Sequence, residues 1–374
     1  MRTTIPVENG ETLGSVQGFL RGLLERGMVE ALLVPMRTPG GSVTPALVSD
    51  PGLLTAADPL APVMAVNTAT LAGKLSIREP RARIGVVLRA CELRALVELV
   101  KLQQASLDDL TLIAVDCAGT WEVATPVPGA EQKGSGKGQV PGAWREVYEA
   151  AATRPDAPDP ELRLACRMCE QPVYEGADIT LELLGGELEQ GVPISLPDEL
   201  GETLGLSAAE SNGRAEVVER LVAARTATRD AEFAAIRARL EGEETLTGVF
   251  DACIRCHNCM NVCPICYCKT CVFKSAVFEH EPMQYVGWAE QKGAYRLPSD
   301  TMLFHLTRLN HMDLSCVGCG MCTQACPAEL PVGLVFRAIG QRVQETFDYV
   351  PGRSVDEPLP LVTFKEDEWL EVGE

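Results

Sequence analysis

The stretch CIRCHNCMNVCPICYCKTC, residues 253–271, places seven cysteines in nineteen positions, more than a single four-ligand metal site can use. A segment so dense in thiols folds around whatever the thiols bind. The chain has 374 residues, enough for two or three domains with cores of ordinary size, so covalent staples are unnecessary and cysteine is present for its chemistry. Its fifteen cysteines are odd in number and fall in tight C-x2-C spacings, which points to metal or iron–sulfur ligation rather than a disulfide framework.

Cys253, Cys256, Cys259 and Cys263 are spaced C-x2-C-x2-C-x3-C and followed by Pro264; Cys316, Cys319, Cys322 and Cys326 repeat the pattern before Pro327. This is the bacterial dicluster ferredoxin run. Three closely spaced thiolates wrap one 4Fe–4S cube and the fourth ligates the other, so Cys326 is expected to complete the first cluster and Cys263 the second. Zinc ribbons also use C-x2-C pairs, but two complete runs ending in Cys-Pro favour iron–sulfur. Gly318 and Gly320 allow backbone N–H groups to approach cluster sulfurs. His257 lies inside the first run, where four cysteines already saturate a cube, so it is expected beside the cluster or in solvent.

Upstream, IGVVL (84–88) and LTLIAV (110–115) are short β-rich runs flanking ELRALVELVKLQQ, a helical pattern; together they imply a right-handed βαβ unit in a parallel sheet. Cys91 follows the first strand and Cys117 the second, so both thiols should emerge at the carboxyl rim of the sheet. Cys166 and Cys169 add a C-x2-C pair, and these four make a candidate third 4Fe–4S site. Taken alone, Cys91 and Cys117 also read as ordinary buried cysteines.

The order RACELRALVEL, LIAVDCAGT, CRMCEQPVYEGADIT resembles the beta subunits of deazaflavin (coenzyme F-420) hydrogenases and the related formate dehydrogenase beta subunits. The resemblance covers about residues 12–185. It implies that Cys91, Cys117, Cys166 and Cys169 hold a 4Fe–4S cluster beside FAD, with Gly14 and Ser15 in the opening flavin helix and Asp178 in the triplet Ala177-Asp178-Ile179 as flavin-side residues. The family's Gly-Gly-x-x-Thr run stands here as Leu13-Gly14-Ser15-Val16-Gln17-Gly18, lacking one glycine and the threonine, and Ala90 replaces a proline. Neither Gly40-Gly41 nor Gly185-Gly186 has the G-x-G-x-x-G context of a dinucleotide site.

The expected organisation is an α/β N-terminal domain with a parallel or mixed sheet (1–200), joined by a helical linker (201–248) to an α-rich dicluster ferredoxin-like domain (249–345), then an extended acidic tail (346–374) that lies along a partner subunit. Residues 122–160 read as a surface excursion around one short helix. The linker's Arg and Glu residues read as a solvated face.

A formal charge of −19 argues against nucleic-acid and anionic-membrane partners. No apolar run reaches a membrane span, and with reduced thiols the cytoplasm is the expected location. Two function classes remain. In one, the chain is an FAD-containing iron–sulfur subunit exchanging electrons between a soluble two-electron carrier and protein partners such as formate dehydrogenase, hydrogenase or a heterodisulfide-reductase-type complex. In the other it is a flavin-free polyferredoxin-like adaptor relaying single electrons. Three cysteines, Cys266, Cys268 and Cys271, are left over. They read as ligands of a further cluster with one open or non-cysteine position, as partners of another subunit's ligand, as alternatives to Cys263, or as plain structural thiols.

Overall fold

A computed structural model describes residues 1–79, 81–123, 136–206, 213–242, 245–293 and 299–360. Its first two hundred residues build one seven-stranded mixed sheet. The strands are β1 (Arg2–Pro6), β2 (Ala31–Arg37), β3 (Val43–Val48), β4 (Ile84–Arg89), β5 (Leu110–Val115), β6 (Ile179–Leu181) and β7 (Gly191–Ser195). They lie in the order β1-β7-β6-β5-β4-β2-β3, with β2, β4, β5 and β6 parallel and the edges antiparallel. All six residues of β4 are buried, which is why its sequence is a continuous apolar run rather than an alternating one.

Helices α1 (Thr12–Glu25), α2 (Ala69–Ser76), α3 (Ala90–Lys101) and α4 (Trp144–Thr153) cover the sheet. Val16, Phe19, Leu20 and Leu23 of α1 share a core with Trp144 and Val147 of α4. Ala69 and Ala72 of α2 pack with Leu93, Leu96 and Val97 of α3 in a second core on the other face. The expected β4-α3-β5 unit and the helix at 144 are therefore present, and α4 is anchored by two buried aromatics rather than riding on an excursion. Residues 124–135 of that excursion lie outside the described residues.

After α5 (Leu164–Arg167) and α6 (Asp198–Leu204) comes α7 (Arg214–Glu241), twenty-eight residues long. The rest is helical: α8 (Leu246–Val249), α9 (Asn258–Asn261), α10 (Pro282–Lys292), α11 (Ser299–Met312), α12 (Met321–Gln324) and α13 (Val332–Thr346), with no β-strand after β7 among the described residues. Leu221 of α7 belongs to the α1 core, whereas Phe233 and Ile236 belong to a third core with Phe304 and Phe336. A helix with apolar residues in two cores is a shared wall. Exposed Arg220, Arg239, Glu216 and Glu219 form the expected solvated face, but three arginines depart from it. Arg225 is 1% exposed and donates to the carbonyls of Cys117 and Ala118 (3.4 and 2.5 Å), Arg214 forks onto Asp116 (2.7 and 2.6 Å), and Arg237 donates to Ala338 O.

The acidic tail also departs from expectation as far as residue 360, since it docks on α3 of its own chain. Fully buried Glu98 accepts from the Tyr349 hydroxyl (2.5 Å) and Gly352 N (2.7 Å), and Arg94 donates to Pro351 O (2.7 Å). Gly352 has φ +72°, and a Cβ there would sit 2.3 Å from Arg94 O, so only glycine fits. Residues 361–374 lie outside the described residues. Glu98→Ala strands the Gly352 N–H and leaves Lys101 with Glu357, at 3.6 Å, as its nearest carboxylate, so it is expected to cost about 3 kcal/mol. Limited proteolysis should then cut within 347–360, and the melting temperature should fall; a protected tail would count against this anchoring.

Candidate metal centres

The carboxyl ends of β4 and β5 meet at one rim, as in other parallel sheets. Cys91 is the second residue of α3, and its turn is pinned by Glu92, whose carboxylate accepts from Arg89 N (3.1 Å) and Thr68 N (2.9 Å). Cys117 follows β5 and its N–H donates to Pro172 O (2.9 Å). Cys166 and Cys169 arrive on and just after α5. All four line one cavity with Arg163 and Arg225, so the structure gathers thiols from three segments that the sequence left far apart.

Burial pushes the Cys117 thiol up to about 11 and the Cys91 thiol well above its ordinary value. Burial acts on Cys166 in the same sense, yet this thiol is held low by the Arg163 guanidinium, 3.5 Å away, and the Thr120 hydroxyl at 3.3 Å. Arg163 also reaches the carboxamide of Gln324 on α12 (3.1 Å). Thiols raised in this way, as Cys91 and Cys117 are, give up the proton most readily when a cation takes its place, which is what ligation to a metal core does.

The C-terminal eight divide into two sets that do not follow the two sequence runs. Cys253, Cys256, Cys259 and Cys326 line one small cavity. Cys263, Cys316, Cys319 and Cys322 line another, of about 260 Å³. The two runs also share a backbone. Gly318 and Gly320 are left-handed (φ +73° and +72°), and so are Arg255 and His257 at the equivalent positions of the first run (φ +57° and +59°). Non-glycine residues adopt this conformation at a cost, so the repeated geometry belongs to the loop rather than to the residue. Short helices α9 and α12 then follow at matching places.

Among the described residues no three His, Cys, Asp or Glu side chains converge on a point where one metal ion would sit. Four thiols around each cavity match the one thiolate per iron that a four-iron cube takes.

The three sets are adjacent in space. Cys319 lines both the second C-terminal cavity and the N-terminal one. Arg308, 3% exposed, donates from Nη1 to Cys259 Sγ (3.1 Å) and from Nη2 to Cys259 O (3.0 Å), and it also lines the cavity of Cys263 and Cys322. The order is therefore N-terminal set, middle set (263/316/319/322), outer set (253/256/259/326), and the outer set has the exposed Cys256.

Several residues of these sites escaped the sequence reading. Arg163, Arg225, Arg308 and Arg337 border the cavities, with Arg337 forking onto Glu170 (2.7 and 2.9 Å). His305, not His257, contacts a thiol of the outer set, with Nε2 3.3 Å from Cys253 Sγ; His257 stacks on Phe304 at 4.6 Å between centroids. No local pattern marks these positions, since Arg308 meets Cys259 from forty-nine residues away.

The flavin-side residues are not brought together. Gly14 and Ser15 lie in α1, over the core with Val16 and Phe19, with Gly14 exposed. Asp178 precedes β6, its Oδ2 accepts from Leu112 N at 2.7 Å, and its neighbour Ala177 packs on the opposite core. Its carboxylate tethers β5.

No protein-family model matches the chain. Among curated proteins, it is 25% identical over 302 residues to the F420-dependent formate dehydrogenase subunit beta of Methanocaldococcus jannaschii, covering 74% of this chain and 75% of that protein. It is 26% identical over 398 aligned residues to the F420-dependent formate dehydrogenase 1 subunit beta of Methanococcus maripaludis, covering 95% and 94%. A chain of the xenon-derivatized F420-reducing [NiFe] hydrogenase complex from Methanosarcina barkeri aligns with a TM-score of 0.40 and 10% identity, over 63% of this chain and 92% of that one. The resemblance carried by the order of the cysteines is thus met by relatives that are oxidoreductase subunits. Among the described residues no helix is long and apolar enough to cross a membrane.

Proposed function

We propose that this relative of F420-dependent formate dehydrogenase beta subunits is the iron–sulfur subunit of a multisubunit oxidoreductase, exchanging electrons between a soluble two-electron carrier and a partner such as a formate dehydrogenase or hydrogenase. The observation that carries the reading is the contiguous row of three four-thiol cavities, with Cys319 in the wall between the first pair and Arg308 between the second. A bound 4Fe–4S cube supplies a one-electron store at each position. The protein's part is to hold four thiolates at each, to exclude water by burying Cys166, Cys259 and Cys326, and to offset anionic charge with Arg163, Arg225, Arg308 and Arg337. The exposed Cys256 at one end supports a partner contact near the outer set.

Flavin enters this reading from the resemblance alone. The alternative, a flavin-free adaptor that relays single electrons, is favoured by one observation, that the Asp178 carboxylate is taken up by the Leu112 backbone N–H at 2.7 Å. Anaerobic purification followed by iron, sulfide and flavin analysis separates the two. Both predict at least about twelve irons per chain, four per cube. Near-stoichiometric flavin selects the first, its absence after FAD reconstitution selects the adaptor, and negligible iron with bound zinc overturns both.

A further inference from the structure

The reading above uses twelve thiols; the other three also share a cavity. Cys266, Cys268 and Cys271 line a space of about 330 Å³ between α2 and the segment after the first cysteine run. The Thr70 hydroxyl of α2 donates to Pro264 O at 3.5 Å across it, and Cys271 Sγ lies 3.7 Å from Met260 Sδ. Cys263 of the middle set lines the same space, so the cavity abuts the relay there.

The chemistry of the walls is specific. Three lysines, Lys74, Lys269 and Lys274, line the cavity with the thiols, while no His, Asp or Glu among the described residues does. Plain structural thiols suit apolar walls, whereas three ammonium groups beside three sulfurs suit an anionic thiolate-held group.

Resting on the relay reading, we propose that Cys266, Cys268 and Cys271 hold a fourth 4Fe–4S centre, ligated by three thiolates, with the fourth iron open to an exchangeable external ligand. It lies beside the middle set, whose Cys263 lines both cavities. The middle position then becomes a branch at which one electron passes either way.

The test uses the full chain, reconstituted anaerobically with iron and sulfide. About sixteen irons are expected per chain, and about twelve in a Cys266→Ser/Cys268→Ser/Cys271→Ser variant. Cyanide, which binds an open iron, should change the EPR spectrum of the reduced wild type and leave that of the variant unchanged. Should the triple variant not fold, Cys268→Ser alone, at an exposed position, should abolish the cyanide response. Equal iron in wild type and variant with no cyanide effect overturns the fourth centre, as does about one zinc per chain that the variant loses. A Cys91→Ser/Cys117→Ser variant that loses no iron counts instead against the three-site relay, so the two failures are distinguishable.

Discussion

Cys326→Ser is expected to extinguish the cluster of the first cysteine run and spare that of its own. Cys326 lines the cavity of Cys253, Cys256 and Cys259, while Cys263 lines that of Cys316, Cys319 and Cys322. Losing one thiolate from a cube opens a corner iron, so up to about four of the chain's irons should be lost. The signature to measure is a match of phenotypes. The EPR spectrum of Cys326→Ser should resemble that of Cys253→Ser and differ from that of Cys322→Ser, and Cys263→Ser should behave conversely. A Cys326→Ser spectrum identical to that of Cys322→Ser would falsify the exchanged ligation.

The second large effect is electrostatic. Arg308 is buried between the outer and middle sets and donates directly to Cys259 Sγ. Reducing a cube adds negative charge, which a nearby guanidinium favours, so removing the guanidinium should lower both potentials. A unit charge roughly 7 Å away in an effective dielectric of about 20 contributes about 2 kcal/mol, on the order of 100 mV for one electron. Arg308→Gln should therefore shift both C-terminal clusters to more negative potential in a redox titration, with the outer one shifted more because it also loses the N–H···S bond. Arg308→Lys keeps the charge and should recover part of the shift. Arg308 also stacks on Phe304 and Phe336, at 5.5 and 5.2 Å from their centroids, so a purely structural role would lower the melting temperature without moving the potentials.

Much of this was legible because it is local. The C-x2-C-x2-C-x3-C runs, the apolar runs of β4 and β5 and the 3.6-residue pattern of α3 and α7 each depend on residues close in the chain. Two other strands were not legible. β1 pairs with β7 across nearly two hundred residues, and β6 is three residues long, so neither has enough periodicity to be recognised. The tail failed for a related reason: an acidic, proline-containing segment reads as extended, and only the buried carboxylate of Glu98 explains why residues 347–357 lie on α3.

By itself the sequence marked the candidate metal-binding thiols, because thiol spacing is a property of neighbours in the chain. It also determined that β4 and β5 would deliver Cys91 and Cys117 to one rim, since parallel strands joined by a helix end at the same edge. Only the tertiary structure decided which thiols share a cavity with which, and that four arginines border those cavities. It also decided that Gly14 and Ser15 lie on the face of the sheet away from the core that packs Ala177 beside Asp178. Those relations join residues tens to hundreds of positions apart. They are set by which faces of α3, α7 and α11 are buried together, and burial is a property of the packed chain rather than of any short stretch of it.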